Sequence, residues 1–368
     1  MNRSDLDRNA YMLCGPLAKR GYLRWWHSFR GKSCETGIWR RFFVDYLIQN
    51  PVPGKRKRGE APVLSCVRIS AGVFPGEGLP GVQLISQYPI SVAKFAKKPL
   101  YFQVEDNVLR ENRITGSVSD TLPEPGTDSE KNYVLEWDLE ILKTIACHTG
   151  ILASPLLSAL RALDSFWHGE GIKTHFRGTI TLNDETFEVS AEDCSGYADK
   201  HWGQAFNKPW LQLASCDLVS ERTGKPLKHS ALAIDGCCPR FLFFHFKPKM
   251  LLQLTYTGED FCYSFTKPQR RPRLKWCTKE RRDSYAWQIK AADKQSLIKV
   301  TLHSSKTNMM PLYYDSPDGS TSPRLRAGAE GYGTLDLYRI TPTGRIWVDT
   351  LTIQNALCIL EKPTKKAP

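Results

Sequence analysis

Residues 174–190 read Thr174-His-Phe-Arg-Gly-Thr-Ile-Thr-Leu182, then Asn183-Asp184, then Glu185-Thr-Phe-Glu-Val-Ser190, and this stretch decides the fold class. β-Branched and aromatic residues recur on both sides of the Asn-Asp pair. Such runs are typical of strands, and Asn and Asp are turn residues. The stretch therefore predicts a strand, a turn and a second strand.

Short runs of the same kind recur along the chain, bounded by Gly, Pro, Asn and Asp. They cover residues 38–48, 63–69, 81–90, 99–104, 132–141, 210–219, 230–234, 241–246, 251–256, 261–265, 285–289, 297–302, 334–340 and 346–353. A parallel βαβ fold would need helices of about 10–15 residues between successive strands, and the sequence lacks them. We therefore predict an all-β chain of antiparallel sheets closed into barrels or sandwiches.

One segment, residues 154–169, has helical periodicity. It begins at a Ser-Pro pair and ends at a His-Gly pair, and its apolar residues share one face of a 3.6-residue period: Leu156, Leu160, Leu163 and Trp167. This predicted helix separates two strand-rich halves of similar length. We therefore predict one domain over residues 1–165 and a second over residues 166–368.

The composition is that of an ordinary globular protein. Hydrophobic residues make up 41% of the 368 residues and charged residues 24%, which excludes disordered, collagen-like and disulfide-scaffold chains. No apolar run approaches the ~18 residues that cross a bilayer. The first residues, Met1-Asn-Arg-Ser-Asp-Leu-Asp7, are polar where a signal peptide would be apolar. We expect a cytoplasmic protein.

Eleven cysteines are scattered from Cys14 to Cys358 without C-x-x-C spacing. Secreted frameworks pair their cysteines and zinc ribbons space them in doublets, so neither class is indicated. The neighbours Cys237 and Cys238 have poor geometry for a mutual disulfide. We predict reduced thiols in core positions. Because the eight histidines are dispersed, we predict no metal site.

The net charge of +13 is concentrated in two segments. Lys55-Arg56-Lys57-Arg58 carries four positive charges, and residues 267–282 hold eight basic residues against Glu280. Both segments are flanked by Pro or Gly and are predicted as loops. Such a loop is either a solvated surface or a peripheral contact to an anionic membrane. Without a zinc-finger, RNP or helix-turn-helix pattern, we predict no nucleic-acid partner.

The match to a dinucleotide motif lies in a predicted loop. Gly76-Glu-Gly-Leu-Pro-Gly81 fits G-x-G-x-x-G, but that motif requires a strand before it and a helix after it. Here Pro80 precedes the last Gly and strand-like residues 82–85 follow. Walker, H-E-x-x-H and G-x-S-x-G motifs are missing as well. We predict no cofactor.

Two short segments combine aromatic and polar residues. The first is Gly21-Tyr-Leu-Arg-Trp-Trp-His-Ser-Phe29, which as a strand would place Trp25 and His27 on one face and Trp26 on the other. The second is Gly196-Tyr-Ala-Asp-Lys-His-Trp-Gly203. Among aromatic rings, desolvation can raise the pKa of an Asp so that it serves as a proton donor near neutrality. The Asp-Lys pair is also compatible with a surface turn and a weak ion pair.

The second segment resembles the tyrosine–x–acid–lysine–x–Trp–Gly signature of the tocopherol cyclase family. Other segments resemble parts of the same family: Trp167-His168-Gly169, Phe176-Arg-Gly-Thr-Ile180, Pro209-Trp210-Leu-Gln-Leu213, Asp235-Gly236-Cys-Cys-Pro-Arg240 and Gly331-Tyr-Gly-Thr-Leu-Asp-Leu337. Residues 21–27 line up with an aromatic–aromatic–Glu–Gly–Trp–Tyr–Phe motif, but Leu23-Arg24 stands where the family has an acid. The resemblance spans residues 20–358 and is strong over 165–240.

The resemblance implies a pair of lipocalin-like antiparallel β-barrels with a short connecting helix, shared with carotenoid hydratases. It implies an isomerase (an intramolecular lyase) in which an acid protonates the double bond of a prenylated quinol or related isoprenoid, and the phenol oxygen captures the tertiary cation. Asp199, Lys200 and His168 are the implied catalytic residues, with Asp199 as the acid. The implied substrate-binding residues, which surround a hydrophobic substrate, are Trp25, Trp26, His27, Tyr197, Trp202, Trp210 and Arg240.

Two functions stay open on the sequence alone. The missing acid at Leu23-Arg24 favours a non-catalytic lipocalin-like carrier of a hydrophobic ligand, whereas the Tyr-x-Asp-Lys-x-Trp-Gly run favours the enzyme. Hydration of an isolated alkene would use the same protonation step with water as the nucleophile. For the enzyme we expect Asp199, Trp202 and the strand from Trp25 to His27 to line one cavity.

Overall fold

The computed structural model describes residues 9–52, 64–76, 78–96, 99–123, 129–147, 165–193, 195–204, 210–237, 240–241, 244–245, 249–264, 272–315 and 321–361. In these ranges the chain is almost entirely β-strand, and the strands pair antiparallel in two large sheets and one ribbon. None of the helices within these ranges has the length and apolar character needed to cross a membrane.

The first sheet follows a short N-terminal helix, α1 (Pro16–Lys19), and includes a 3-10 turn at Ile90–Val92. Its strands are β1 (Tyr22–Ser33), β2 (Trp39–Gln49), β3 (Cys66–Val73), β4 (Val82–Pro89), β5 (Lys94–Ala96), β6 (Tyr101–Val104), β7 (Asn107–Arg110), β8 (Arg113–Pro123), β9 (Glu130–Ile145), β10 (Ser165–Leu182), β11 (Glu185–Val189) and β12 (Ser195–Gly203). They are ordered β4-β3-β2-β1-β11-β10-β9-β8-β7-β6-β5, and β12 also pairs with both β1 and β10.

The second sheet contains the C-terminal strands. They are β13 (Leu211–Ser215), β14 (Asp217–Ser220), β15 (Ala231–Cys237), β18 (Lys249–Tyr256), β19 (Glu259–Tyr263), β20 (Arg273–Glu280), β21 (Ser284–Ala292), β22 (Ser296–Ser305), β23 (Met310–Asp315), β24 (Thr321–Thr341) and β25 (Gly344–Glu361). Strands β16 (Arg240–Phe241) and β17 (Phe244–His245) form the ribbon. The predicted all-β class with antiparallel barrel-type sheets is confirmed.

The chain passes from the first sheet to the second between Gly203, the end of β12, and Leu211, the start of β13. Strands β10, β11 and β12 therefore pair with the first sheet, although the sequence placed residues 166–203 in the second predicted domain. The chain thus completes the first sheet with strands that follow the predicted boundary at residue 165.

Hairpin β10–β11 is the strand–turn–strand stretch of residues 174–190. Leu182 pairs with Glu185, which leaves Asn183-Asp184 as a two-residue turn, and Asn183 has a φ of 54°. Asn tolerates this left-handed conformation better than most residues. Its Oδ1 also accepts a hydrogen bond of 2.9 Å from the backbone N–H of Val134. Local turn chemistry therefore sets the register of this hairpin.

Two sequence predictions of local structure are wrong. Residues 165–169, the last part of the predicted helix 154–169, belong to strand β10, and residues 165–168 pair with β12. A short apolar run does not distinguish a buried strand from a helix. Residues 154–164 lie outside the described part. The predicted loop 267–282 contains strand β20, in which the partly buried Leu274 and Trp276 pack against the second core. Residues 55–58 also lie outside the described part.

The apolar residues form two cores. The first core fills the first sheet. It continues across the contact between the sheets onto the outer face of the second sheet, where it includes Ala233, Leu251 and Leu357. The second core is enclosed by the second sheet and includes Leu232 and Trp287. Successive residues of a strand point to opposite faces, which explains why Leu232 and Ala233 join different cores. The contact between the sheets is therefore part of the first core.

Candidate functional site

Strands β1 and β12 carry most of the predicted site residues and pair in register. Trp26 lies opposite Asp199, and Trp25 lies opposite Lys200. Directly opposed residues of an antiparallel pair share a face, and successive residues alternate between faces. The prediction that Asp199 and Trp202 line one cavity is therefore wrong, since the two residues point to opposite sides of the sheet.

The predicted site residues divide into two groups. The face toward the second sheet carries Trp26, Tyr197 and Asp199, and the ring of Trp210 lies close to Arg24 of the same face. The face toward the interior of the first barrel carries Trp25, His27, His168, Lys200 and Trp202. Arg240 belongs to ribbon strand β16, and its side chain lies outside the described part.

Asp199 is fully buried and surrounded by hydrogen-bond donors. Its Oδ2 accepts hydrogen bonds from Trp167 Nε1 at 3.0 Å, from the Tyr197 hydroxyl at 2.9 Å and from Gln212 Nε2. His201 Nε2 lies 3.3 Å from the same oxygen. Burial raises the pKa of Asp199, but the imidazole and the hydrogen bonds outweigh burial and lower this pKa to about 2. This lowered pKa is opposite in direction to the neutral acid expected at Asp199, because its hydrogen-bond donors favour the carboxylate.

A second buried carboxyl group, Asp235, lies close to Asp199. It stands on β15 directly opposite Gln212, the residue that donates to Asp199. Burial raises the pKa of Asp235 well above its ordinary value, and the negative charge of Asp199 raises it further. Within the described residues, Asp235 Oδ2 has no hydrogen-bond partner. The pKa of Asp235 is therefore displaced upward and that of Asp199 downward.

Sequence reasoning missed Asp235, although a local signal was available. Asp235 is the one charged residue of β15, whose other residues are apolar or Gly. An acid inside an otherwise apolar strand indicates a buried carboxyl group. Its closeness to Asp199 depends on contact between two sheets, which no local pattern encodes.

Arg24 occupies the position where the family resemblance has an acid. Its Nε lies 2.8 Å from Asp45 Oδ1, and its Nη2 donates to the Tyr314 hydroxyl at 2.9 Å. The guanidinium lies 4.5 Å from the ring centroid of Trp26 and 5.0 Å from that of Trp210. Burial lowers the pKa of Arg24, but the negative charge of Asp45 and the hydrogen bond to Tyr314 outweigh burial and raise this pKa. The rings of Trp26 and Trp210, implied to bind substrate, therefore already contact a permanent cation of the protein.

The opposite face of the sheet carries a separate ionic group. Lys200 Nζ donates to the Ala10 carbonyl oxygen at 2.8 Å, and burial lowers the pKa of Lys200 to about 7. Lys143, whose charge also lowers the pKa of Lys200, pairs with Glu170 at 2.7 Å. His168 lies opposite Lys200 in register. The structure therefore brings Lys200 and His168 together but places the sheet between them and Asp199.

Aromatic side chains fill the barrel interior around this group. The His27 ring packs edge-on against two rings, with its centroid 6.2 Å from that of Tyr46 and 6.3 Å from that of Phe176. Trp137 Nε1 donates a hydrogen bond to the Tyr46 hydroxyl at 3.1 Å. Trp25 is fully buried beside them. Burial lowers the pKa of His27 to about 3, so its ring is neutral. These aromatic side chains therefore lie in the barrel interior on the same face as Lys200 and His168.

Open volume lies between the two sheets. A cleft of ≈ 620 Å³ is lined by residues of both sheets, including Lys173, His175, Leu218 and His229. This volume is in the range of about 300–1,000 Å³ that is usual for ligand pockets. The cleft adjoins an inner cavity of ≈ 30 Å³, which has room for about one or two water molecules.

The cleft and the inner cavity share three wall residues, Cys216, Asp217 and Asn355. Tyr197 lines the inner cavity and donates its hydroxyl hydrogen bond to Asp199. Tyr197 therefore links the open space to the buried carboxyl pair. The arrangement is suited to proton transfer, and among the described residues no three His, Cys, Asp or Glu side chains are grouped to hold a metal ion.

No protein-family model matches the chain, and no curated protein matches its sequence. Two solved structures align with it over most of their length. The crystal structure of kievitone hydratase from Nectria haematococca gives a TM-score of 0.48 and 10% identity, over 94% of this chain and 90% of that chain. The crystal structure of CghA with Sch210972 gives a TM-score of 0.46 and 10% identity, over 93% and 89%. At these low TM-scores, the architecture rests on the strand pairing of this chain itself.

Proposed function

We propose that the chain is an enzyme that transfers a proton to a carbon–carbon double bond of a hydrophobic isoprenoid or prenylated quinol bound in the cleft between the sheets. The tertiary cation is then captured by the phenol oxygen of the substrate, as in a tocopherol cyclase-like isomerase, or by water. The observation that carries the proposal is the Asp199–Asp235 pair. Two titratable groups whose pKa values are displaced in opposite directions are typical of acid–base sites.

In this proposal Asp235 is the proton source. It lines neither the cleft nor the inner cavity, so its proton reaches the substrate through Tyr197, which lines the inner cavity. An alkene is a weak base, so its protonation needs a carboxyl group that keeps its proton at neutral pH and has no competing hydrogen-bond partner. Asp235 has a raised pKa, and its Oδ2 has no partner in the described part. Burial raises the pKa of Asp235, and the negative charge of Asp199 adds to this rise. The roles therefore differ from those that the resemblance implied, in which Asp199 is the acid.

The cleft supports the proposed class of substrate. It has the volume for an isoprenoid chain, and its wall combines apolar residues such as Ile145 and Leu227 with the basic Lys173 and Lys228. A phenol oxygen is suited to the basic part of this wall and a prenyl chain to the apolar part. Lys200 and His168, on the far side of the sheet, take no part in the proposed proton transfer.

A non-catalytic carrier of a hydrophobic ligand is the second candidate. The observation that favours it is Arg24, whose permanent positive charge lies over the rings of Trp26 and Trp210. A fixed cation opposes the formation of a carbocation nearby. A carrier would use the same cleft without turning its ligand over.

Product formation from a panel of prenylated quinols and isoprenoid alkenes distinguishes the two functions. We expect the wild-type protein to form product and, in D₂O, to place one deuterium on the protonated carbon. Asp235→Asn should lower turnover by about 10²-fold or more while ligand affinity, followed by tryptophan fluorescence, is retained. Asp199→Asn should also lower turnover.

Asp349→Asn is the matched control. Asp349 is a buried carboxyl of the second sheet that accepts hydrogen bonds from Ser220 at 2.5 Å and from Tyr256 at 3.0 Å. This variant should keep its turnover. Ligand binding without product in wild type and variants alike would establish the carrier.

A further inference from the structure

The outward face of strands β20, β21 and β22 carries three lysines in one row. Lys275 lies opposite Lys290, and Lys290 lies opposite Lys299. Directly opposed side chains of an antiparallel pair have Cβ atoms about 4.5–5.5 Å apart, and like charges at this separation are destabilising. Within the described ranges, neither Lys275 nor Lys290 forms an ion pair. A bound anion would relieve the repulsion in this row.

Protection of a sheet edge does not account for the row. Lysines on an edge strand discourage pairing with another chain, and β20 ends the strand order of the second sheet. Lys290 and Lys299, however, stand on β21 and β22, which are paired on both sides. Two of the three lysines therefore need another explanation.

Exposed aromatic residues flank the lysine row on the same face. Lys299 Nζ lies 5.0 Å from the ring centroid of Tyr338, which pairs with Trp347 in register. Trp347 is 46% exposed, and its indole Nε1 donates to Thr350 Oγ1 at 3.1 Å. On the other side of the row, Tyr332 is 59% exposed. Trp and Tyr are enriched at membrane interfaces, where one end of the side chain is apolar and the other is wet.

The face adds further positive charge and offers a shallow site. Arg273 and Lys279 are exposed at alternate positions of β20 and so share the face of Lys275. A depression of ≈ 340 Å³ is lined by all three lysines of the row together with Gln288 and Thr301. Asp336, opposite Lys299, is an acid on this face and accepts a hydrogen bond from Thr350. The balance of charge is positive.

We propose that this face docks on an anionic membrane, with lipid headgroups over the lysine row and with Trp347 and Tyr332 in the interfacial layer. A sheet face with aromatic residues on both sides of a basic row is complementary to a negatively charged bilayer surface. The exposed aromatic residues favour a membrane over a nucleic acid. The docking face is folded sheet, whereas the sequence placed the basic contact in two loops. It is independent of the proposed enzymatic activity, since it shares no residue with the cleft.

The test is co-sedimentation of the full chain with vesicles of phosphatidylcholine, alone or mixed with phosphatidylserine. We expect binding to the mixed vesicles that high salt abolishes, and little binding to phosphatidylcholine alone. The variant K275E/K290E/K299E should bind the mixed vesicles about tenfold more weakly or worse. The matched control K94E/R110E/K131E changes exposed basic residues of the first sheet and should bind like the wild type. Circular dichroism checks that both variants are folded.

Brominated lipids locate the aromatic residues. In the wild type these lipids should quench the part of the tryptophan fluorescence that comes from Trp347. This quenched component should be missing in Trp347→Phe. Equal binding to neutral vesicles, or equal loss in both triple variants, would overturn the proposal. Binding to duplex DNA but not to vesicles, lost in K275E/K290E/K299E, would identify a nucleic-acid surface instead.

Discussion

Asp199 and Asp235 are equally buried but have different hydrogen-bond donors. Three side chains donate to Asp199 and His201 faces it, whereas Asp235 Oδ2 has no partner in the described part. Transferring a carboxylate into the interior without donors costs several kcal/mol, so such a group takes up a proton instead. The local donors therefore decide which of the two carboxyl groups has the raised pKa.

The raised pKa of Asp235 predicts a pH-dependent stability. An acid whose folded pKa exceeds its unfolded value contributes stability below the unfolded value, and this contribution is lost as the pH rises through the folded pKa. Asp235→Asn should therefore match the wild type near pH 4 and exceed its free energy of unfolding by about 1–3 kcal/mol at alkaline pH. Urea unfolding of both proteins over this range measures the difference, and a constant difference would contradict the prediction.

Lys200 should show the opposite pH dependence. Its pKa is lowered from 10.5 to about 7, so the penalty for its buried charge is complete below pH 7 and is relieved as the pH rises from 7 toward 10.5. Lys200→Met should stabilise the protein by about 1–4 kcal/mol at pH 6 and by less at pH 9. Lys143→Met is the control, because Lys143 is buried but paired with Glu170, and its loss should destabilise. Destabilisation by Lys200→Met at pH 6 would refute this assignment.

At the scale of strands, the sequence predicts what local chemistry decides. The turn at Asn183-Asp184 and the β-branched runs around it identify hairpin β10–β11, because turn residues and side-chain alternation act within a few positions. The same alternation could have separated Asp199 from Lys200, since neighbours on a strand face opposite sides. The resemblance grouped them because it compares residue types without their faces.

Contacts between strands that are distant in sequence could not be predicted in this way. Asp235 lies opposite Gln212 within the second sheet, and both residues approach Asp199 only because β13 and β15 pack against β12 of the other sheet. Arg24 replaces an acid in the motif, but Asp45 on the neighbouring strand supplies a carboxylate 2.8 Å away. Such partners depend on tertiary packing, which a local pattern does not contain.

The Arg24–Asp45 pair connects three strands and can be tested as a pair. It joins β1 to β2, and the bond from Arg24 to Tyr314 adds β23 of the second sheet. Arg24→Met leaves Asp45 buried without its counterion and should lower the free energy of unfolding by about 3–5 kcal/mol. The double variant R24M/D45L removes both charges and should recover most of that loss. A double variant as unstable as Arg24→Met alone would show that the loss comes from packing rather than charge.

At the scale of the whole molecule, the layer between the sheets is both a core and the wall of the candidate site. The first apolar core extends from the first barrel to Ala233, Leu251 and Leu357 on the outer face of the second sheet. The cleft opens at the margin of this layer. A ligand bound in the cleft contacts both sheets, so its binding should stabilise the two sheets together.

A shared core also predicts that the two sheets unfold together. Leu251 belongs to β18 of the second sheet but packs in the core of the first sheet. Leu251→Ala should therefore lower the free energy of unfolding of both sheets by about 2–5 kcal/mol. Hydrogen exchange measures this directly, since amides of β3 and β22 should lose protection by the same free energy, while calorimetry shows one transition. If protection were lost in β22 but kept in β3, the two sheets would be separate folding units. The interface between them would then be a docking contact between two stable halves rather than a common core.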